Sequence, residues 1–166
     1  MKLRYLSILA AASLLAACES APTETGAKAG AGQAAPPAAA APAPGIAAGS
    51  VEDFQKNVGD RVFFDLNKSN LRGDAKAILD KQVAWLKKYP AYAITVEGHC
   101  DERGTREYNL GLGERRATAV KKYMLANGIP AARVKTISYG KERPVCMASN
   151  EACWSQNRRG VTVLSK

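Results

Sequence analysis

The segment from Glu19 to about Gly49 limits what this chain can become more than any other feature. It is built mainly from Ala, Pro and Gly, including Pro36-Pro37, Pro42 and Pro44, with almost no bulky side chain and no hydrophobic period. Such a run buries too little apolar surface to offset the entropy of ordering it. Of the 166 residues, the first 50 therefore hold no core. Folding is left to residues 51–166, about 115 residues, enough for one two-layer core without metal or disulfide. As a flexible coil a ~30-residue tether averages roughly 30 Å from end to end, and stretched as polyproline it approaches 100 Å.

Ahead of the tether, Lys2 and Arg4 precede an apolar run from Leu6 to Ala17. A stable bilayer span needs roughly 20 apolar residues, so this shorter run reads as a secretory leader. It ends in Leu15-Ala16-Ala17-Cys18, which resembles the lipobox of bacterial lipoproteins. The resemblance implies cleavage after Ala17, a diacylglycerol thioether on Cys18 and an acyl chain such as palmitate on its freed amine. Buried chains at ~0.8 kcal/mol per methylene make such an anchor effectively permanent. Glu19 stands where aspartate is the usual retention signal, which implies sorting to the outer membrane with the domain facing the periplasm. The expected organisation is a leader at 1–17, a lipidated cysteine and tether at 18–50, and a folded domain at 51–166.

The formal charge of +9 first suggests nucleic acid. Yet Lys and Arg are mixed with acids, no five-residue window is uniformly basic, and no aromatic ladder is interleaved with them, as single-strand binding requires. Nucleic acid is set aside. Anionic lipid heads or carboxylate-bearing polymers suit the charge better.

Ser50-Val51-Glu52-Asp53 has the form of a capping box opening a short helix to about Asn57. Strands are expected at Arg61–Asp65, Ala93–Gly98, Val134–Tyr139 and Arg159–Leu164. Helices are expected at Leu71–Tyr89, ended by Pro90, at Arg106–Asn127, closed by Asn127-Gly128, and at Glu151–Asn157. Strand-helix-strand-helix-strand followed by a last strand predicts an α+β two-layer sandwich, one helical layer on a mixed four-stranded sheet.

The chemistry concentrates in Glu97-Gly98-His99-Cys100-Asp101-Glu102-Arg103-Gly104-Thr105 and in Tyr108 to Ala117. Asp101 falls past the C-terminal end of a strand, where open α/β sheets place ligand groups. Arg116 shares a helix face with Leu112, Val120 and Met124. A guanidinium on an apolar stripe must find a partner, because an unpaired buried charge costs several kcal/mol. Two readings stay open: an internal ion pair with Asp101 or another acid, or a half-exposed fork that holds a zwitterion beside Asp101. Both can hold at once. Gly111 and Gly113 are each expected to weaken this helix by up to ~1 kcal/mol relative to Ala.

The block from Gly98 to Ala117 resembles the signature of OmpA-like peptidoglycan-binding domains. The likeness runs from about Asp60 to Leu164, through Val62-Phe63-Phe64-Asp65, Ile137-Ser138-Tyr139-Gly140-Lys141-Glu142-Arg143-Pro144 and Gln156-Asn157-Arg158-Arg159. Tyr139 to Pro144 points to the lipid-anchored members that work with the Tol system. The resemblance implies an OmpA-like fold and non-covalent binding of the diaminopimelate residue of the wall's peptide stems. Asp101 and Arg116 match the family's main ligand-binding pair, and Phe64, Asp65, His99, Cys100 and Leu112 match other pocket positions. Cys100 stands where alanine or threonine is frequent, so its contact is expected through the backbone. Docking to a TolB-like periplasmic propeller protein and a role in outer-membrane constriction during cell division are implied as well.

Cys146 and Cys153, seven residues apart, are expected to form a disulfide in an oxidising periplasm, contributing on the order of 2 kcal/mol. With one histidine, no metal set and no cysteine-based catalysis is expected, and no cofactor beyond the lipid on Cys18. Wall hydrolysis by Asp65 and Asp101 would need one raised carboxyl pKa. An adjacent arginine lowers it, which suits a binder rather than an enzyme.

Overall fold

The computed structural model describes residues 45–166; the leader, Cys18 and the tether up to residue 44 lie outside the described residues. Ser50 caps the first helix, its Oγ accepting from Asp53 N at 3.0 Å. This element, α1, is α-helical over Val51–Asp53 and continues as a π-helical turn over Phe54–Val58. β1 (Arg61–Phe63), α2 (Gly73–Lys88), β2 (Ala93–His99), α3 (Arg106–Ala126), β3 (Val134–Gly140), α4 (Glu151–Asn157) and β4 (Arg159–Ser165) follow.

The sheet order is β1-β4-β2-β3. β2 and β3 run parallel, while β4 is inserted between β1 and β2 and antiparallel to both. The fold is thus the mixed α+β sandwich anticipated above. β1 is shorter than expected: Phe64 leaves the sheet and donates its N–H to the Arg158 carbonyl at 2.9 Å. One core lies between sheet and helices, with Phe54, Leu79, Leu86, Ile94, Val96, Ala117, Val120 and Met124 almost wholly buried.

Two glycines set how closely α3 approaches the sheet. A Cβ at Gly98 would lie 1.9 Å from the Gly113 carbonyl oxygen, and one at Gly113 would lie 2.3 Å from Ser138 Oγ. Gly113 is therefore what permits the contact, rather than merely a weak point of the helix; only Gly111, facing the end of Arg115, fits the expected weakening. The contact brings Arg116, one turn on, beneath the end of β2.

No helix among the described residues is long and apolar enough to cross a membrane.

Candidate functional site

Arg116 is fully buried, and main-chain carbonyls rather than an acid hold it. Its Nε donates to the Lys68 carbonyl at 2.9 Å, Nη1 to the His99 carbonyl at 2.8 Å and Nη2 to the Asp65 carbonyl at 3.0 Å. The expected ion pair and the expected half-exposure of this residue are both corrected here. The reason is local: the 64–68 loop turns its carbonyls inward, with Asn67 in the left-handed region at φ 55°. Burial lowers the Arg116 pKa, Cys100 and Asp101 oppose that, and Arg158 adds to it.

Asp101 is 4% exposed. Arg103 Nη2 donates to its Oδ2 at 2.6 Å and Arg158 Nη1 to the same oxygen at 3.3 Å, while Arg103 N donates to Oδ1 at 3.2 Å. Burial pushes the carboxyl pKa up, but the bonds from Arg103 and Arg158 outweigh it and hold the group below its ordinary value. Arg103 in turn lies over the Trp154 ring, 4.0 Å from its centroid, and Trp154 Nε1 donates to Glu102 at 2.9 Å. Arg158 is also bound to Glu151. Asn109 Nδ2 fastens the loop by donating to the Arg103 and Thr105 carbonyls at 2.8 and 3.0 Å.

Cys100, Asp101, Leu112 and Arg116 do come together, lining one crevice with Leu66 and Arg158. In this conformation the crevice has no volume that a water molecule could occupy. Phe64 is buried with its ring 5.2 Å from the Arg116 guanidinium, and it also walls a neighbouring pocket of about 300 Å³. Asp65 turns outward to pair with Arg72 at 2.9 Å and meets Arg116 only through its carbonyl. Cys100 donates its N–H to the Gly140 carbonyl at 2.8 Å and its thiol to the Asn109 carbonyl at 3.4 Å, and the residue borders the crevice. Burial pushes its thiol pKa up.

His99 reaches the site only through its carbonyl. Its ring stacks on Tyr139 at 5.5 Å, and neither ring nitrogen finds a hydrogen-bond partner among the described residues. Burial, helped by Arg159 and Arg143, depresses its pKa from 6.5 to about 4. Glu97 Oε2 lies 3.4 Å from Nε2, too poorly aligned to offset that. The unfolded chain then binds the proton first, so stability is full above pH 6.5 and falls as pH drops toward 4. About 3 kcal/mol is at stake, at ~1.36 kcal/mol per tenfold change in proton affinity. Urea titrations at pH 7 and pH 4.5 should show this loss, and His99→Gln should remove most of it. An equal loss in the variant refutes the assignment.

Cys146 and Cys153 are joined, with Cα atoms 5.0 Å apart. The bridge ties the loop after β3 to α4, which carries Glu151 and Trp154. Arg103, Asn109 and Arg158 are the site residues that sequence reasoning did not single out. All three lie within the motifs described above, but only the fold shows Arg103 and Arg158 meeting at Asp101 and Asn109 fastening the loop that carries it.

The OmpA family model matches residues 63–158, a stretch that includes Asp101 and Arg116. The chain belongs to the OmpA family. It is 60% identical over 116 residues to the peptidoglycan-associated lipoprotein of Rhizobium meliloti strain 1021, covering 70% of this chain and 66% of that one. It is 59% identical over 117 residues to the protein of the same name from Brucella suis, covering 70% of each. The crystal structure of the peptidoglycan-associated lipoprotein from Burkholderia pseudomallei matches with TM-score 0.64 at 36% identity, over 67% of this chain and 96% of that one. The C-terminal domain of Helicobacter pylori MotB, at TM-score 0.60 and 20% identity over 64% of this chain and 84% of that one, shares the fold.

Proposed function

We propose that this domain binds peptidoglycan non-covalently at the Asp101–Arg116 crevice, taking the diaminopimelate residue of the peptide stem, and that Cys18 anchors the chain in the outer membrane. Similarity to relatives named peptidoglycan-associated lipoprotein supports the wall as target. The observation that carries the site is Asp101: a nearly buried carboxylate kept ionised and capped by Arg103, whose own side chain is 34% exposed. An incoming ammonium can take the place of the Arg103 fork without leaving Asp101 unpaired, because Arg158 remains. Three of the five Arg116 N–H groups hold carbonyls, which leaves one on each terminal nitrogen for a carboxylate. Since the crevice admits no water as it stands, binding requires the Arg103, Leu66 and Asn67 side chains to give way while the Asp65 and Lys68 carbonyls stay on Arg116.

A carboxyl held below its ordinary pKa is a poor general acid, so the reading is of a binder and not a wall hydrolase. Within the envelope the chain would link outer membrane to wall and dock to a TolB-like propeller protein of the Tol system, acting in cell division; pull-down with that protein tests this part.

Asp101→Asn keeps the shape and removes the charge. Its co-sedimentation with purified sacculi is expected to fall at least about tenfold, the value of one charge-assisted hydrogen bond, with native circular dichroism. Unchanged co-sedimentation defeats the site, and release of soluble wall fragments by the unaltered chain would make it an enzyme.

A further inference from the structure

The end of the domain opposite Asp101 carries groups that wall binding does not use. α3 runs 21 residues from the site end, about 30 Å at 1.5 Å per residue, and at its far end lie the C-terminus of α2, the start of β2 and the end of β4. There the root of the tether is fastened: Tyr92 Oη donates to the Gly49 carbonyl at 2.8 Å, and Gly49 N donates to Asp53 Oδ2 at 2.9 Å. Gly49 has φ +77°, and a Cβ there would lie 2.5 Å from the Tyr89 ring, so the chain enters by one fixed turn.

Around that turn the surface is apolar at the centre and cationic at the rim. Ile46 and Val51 are 41% and 39% exposed, and Val51 borders a depression of about 590 Å³ with Tyr92, Leu164 and Lys166. Lys88 Nζ lies 5.5 Å from the Tyr89 ring centroid and Lys166 Nζ 5.0 Å from that of Tyr92. Lys87 reaches to Gly128, its Nζ 3.5 Å from where a Cβ would stand. Of the nearby acids, Asp53 is engaged by Gly49, Trp85 and Asn57, which leaves Glu52 as the one exposed carboxylate of α1.

We infer that this end docks reversibly onto an anionic lipid surface, with Ile46 and Val51 entering the interface and Lys87, Lys88 and Lys166 meeting phosphates. Apolar side chains ringed by lysine are what such interfaces select. Each lysine near an anionic surface is worth about fivefold in partitioning. The patch is small, but a ~30-residue tether would hold it near millimolar effective concentration at its own membrane, so weak docking suffices. Its place in the cell rests on the reading of Cys18 as the anchor; its chemistry does not.

The test uses the chain from Glu19 onward, which lacks Cys18 and hence any acyl group, floated with phosphatidylcholine vesicles with and without phosphatidylglycerol. Binding is expected with the anionic vesicles alone, and to be lost in high salt. Lys87→Glu with Lys88→Glu should weaken it about 30-fold or more, two lysines at fivefold each, with native circular dichroism and unchanged sacculus binding. Asp101→Asn should float like the unaltered chain, which separates a failure here from a failure of the wall site. Equal binding to both vesicle types, no binding to either, or indifference to the double charge reversal overturns the inference.

Discussion

Arg116→Ala is expected to cost about 4 kcal/mol of folding stability, the upper range for losing buried hydrogen bonds and opening a cavity together. Among the described residues no other side chain donates to the Lys68, Asp65 and His99 carbonyls, and the guanidinium joins a loop and a strand end to α3. Alanine removes one donor from each of those carbonyls and opens a cavity, the Asp65 carbonyl keeping only its turn bond from Lys68 N; a buried group left unsatisfied costs ~1–3 kcal/mol. Arg116→Lys, with one ammonium in place of a planar fork, cannot meet three carbonyls and should fall between the two. Urea unfolding followed by circular dichroism measures both. A loss under about 1 kcal/mol in the alanine variant would show that the three bonds are not what holds the loop. Sacculus binding should fail in Arg116→Ala through the lost loop, which is why Asp101→Asn carries the binding test.

The second large effect is at Gly98. A methyl group there would stand 1.9 Å from the Gly113 carbonyl oxygen, and neither backbone can move without lifting α3 off the sheet. Gly98→Ala is expected to cost about 4 kcal/mol or to prevent folding, the range of severe overpacking. Gly111→Ala is the matched control. Its nearest neighbour is the flexible tip of Arg115 at 3.4 Å, so alanine should stabilise the helix by up to ~1 kcal/mol. Thermal unfolding of the two variants should shift in opposite directions, and similar shifts would remove the close-approach argument.

The pair Gly98 and Gly113 also shows where sequence reading stops. Helical spacing placed Arg116 correctly on the buried stripe of α3, and the strands and helices lie close to where periodicity set them. The partners of Arg116 were not legible. A pattern of side chains says which face is inward; it does not say that main-chain carbonyls of a loop 48 and 51 residues earlier turn toward that face. Nor does it reveal a required glycine, since helix propensity counts Gly113 only as a cost. Strand order was hidden for the same reason. β4 lies between β1 and β2, a choice made by tertiary pairing rather than by its own residues. The place of Asp101 in the loop after β2 was legible, whereas its contact with Arg158 needed the end of α4 folded against that loop.

Under the proposed wall site at Asp101, the chain's entry at Gly49 and the ligand end lie at opposite ends of the domain, and this would decide how the domain bears tension. A pull between membrane and wall would run along the strand axis. β1 pairs with β4 in antiparallel register over Arg61↔Val161, Val62↔Gly160 and Phe63↔Arg159, so such a pull strains these pairs together in shear instead of peeling them one at a time. A short edge strand that would part easily if unzipped would, under that proposed attachment, act as a clamp.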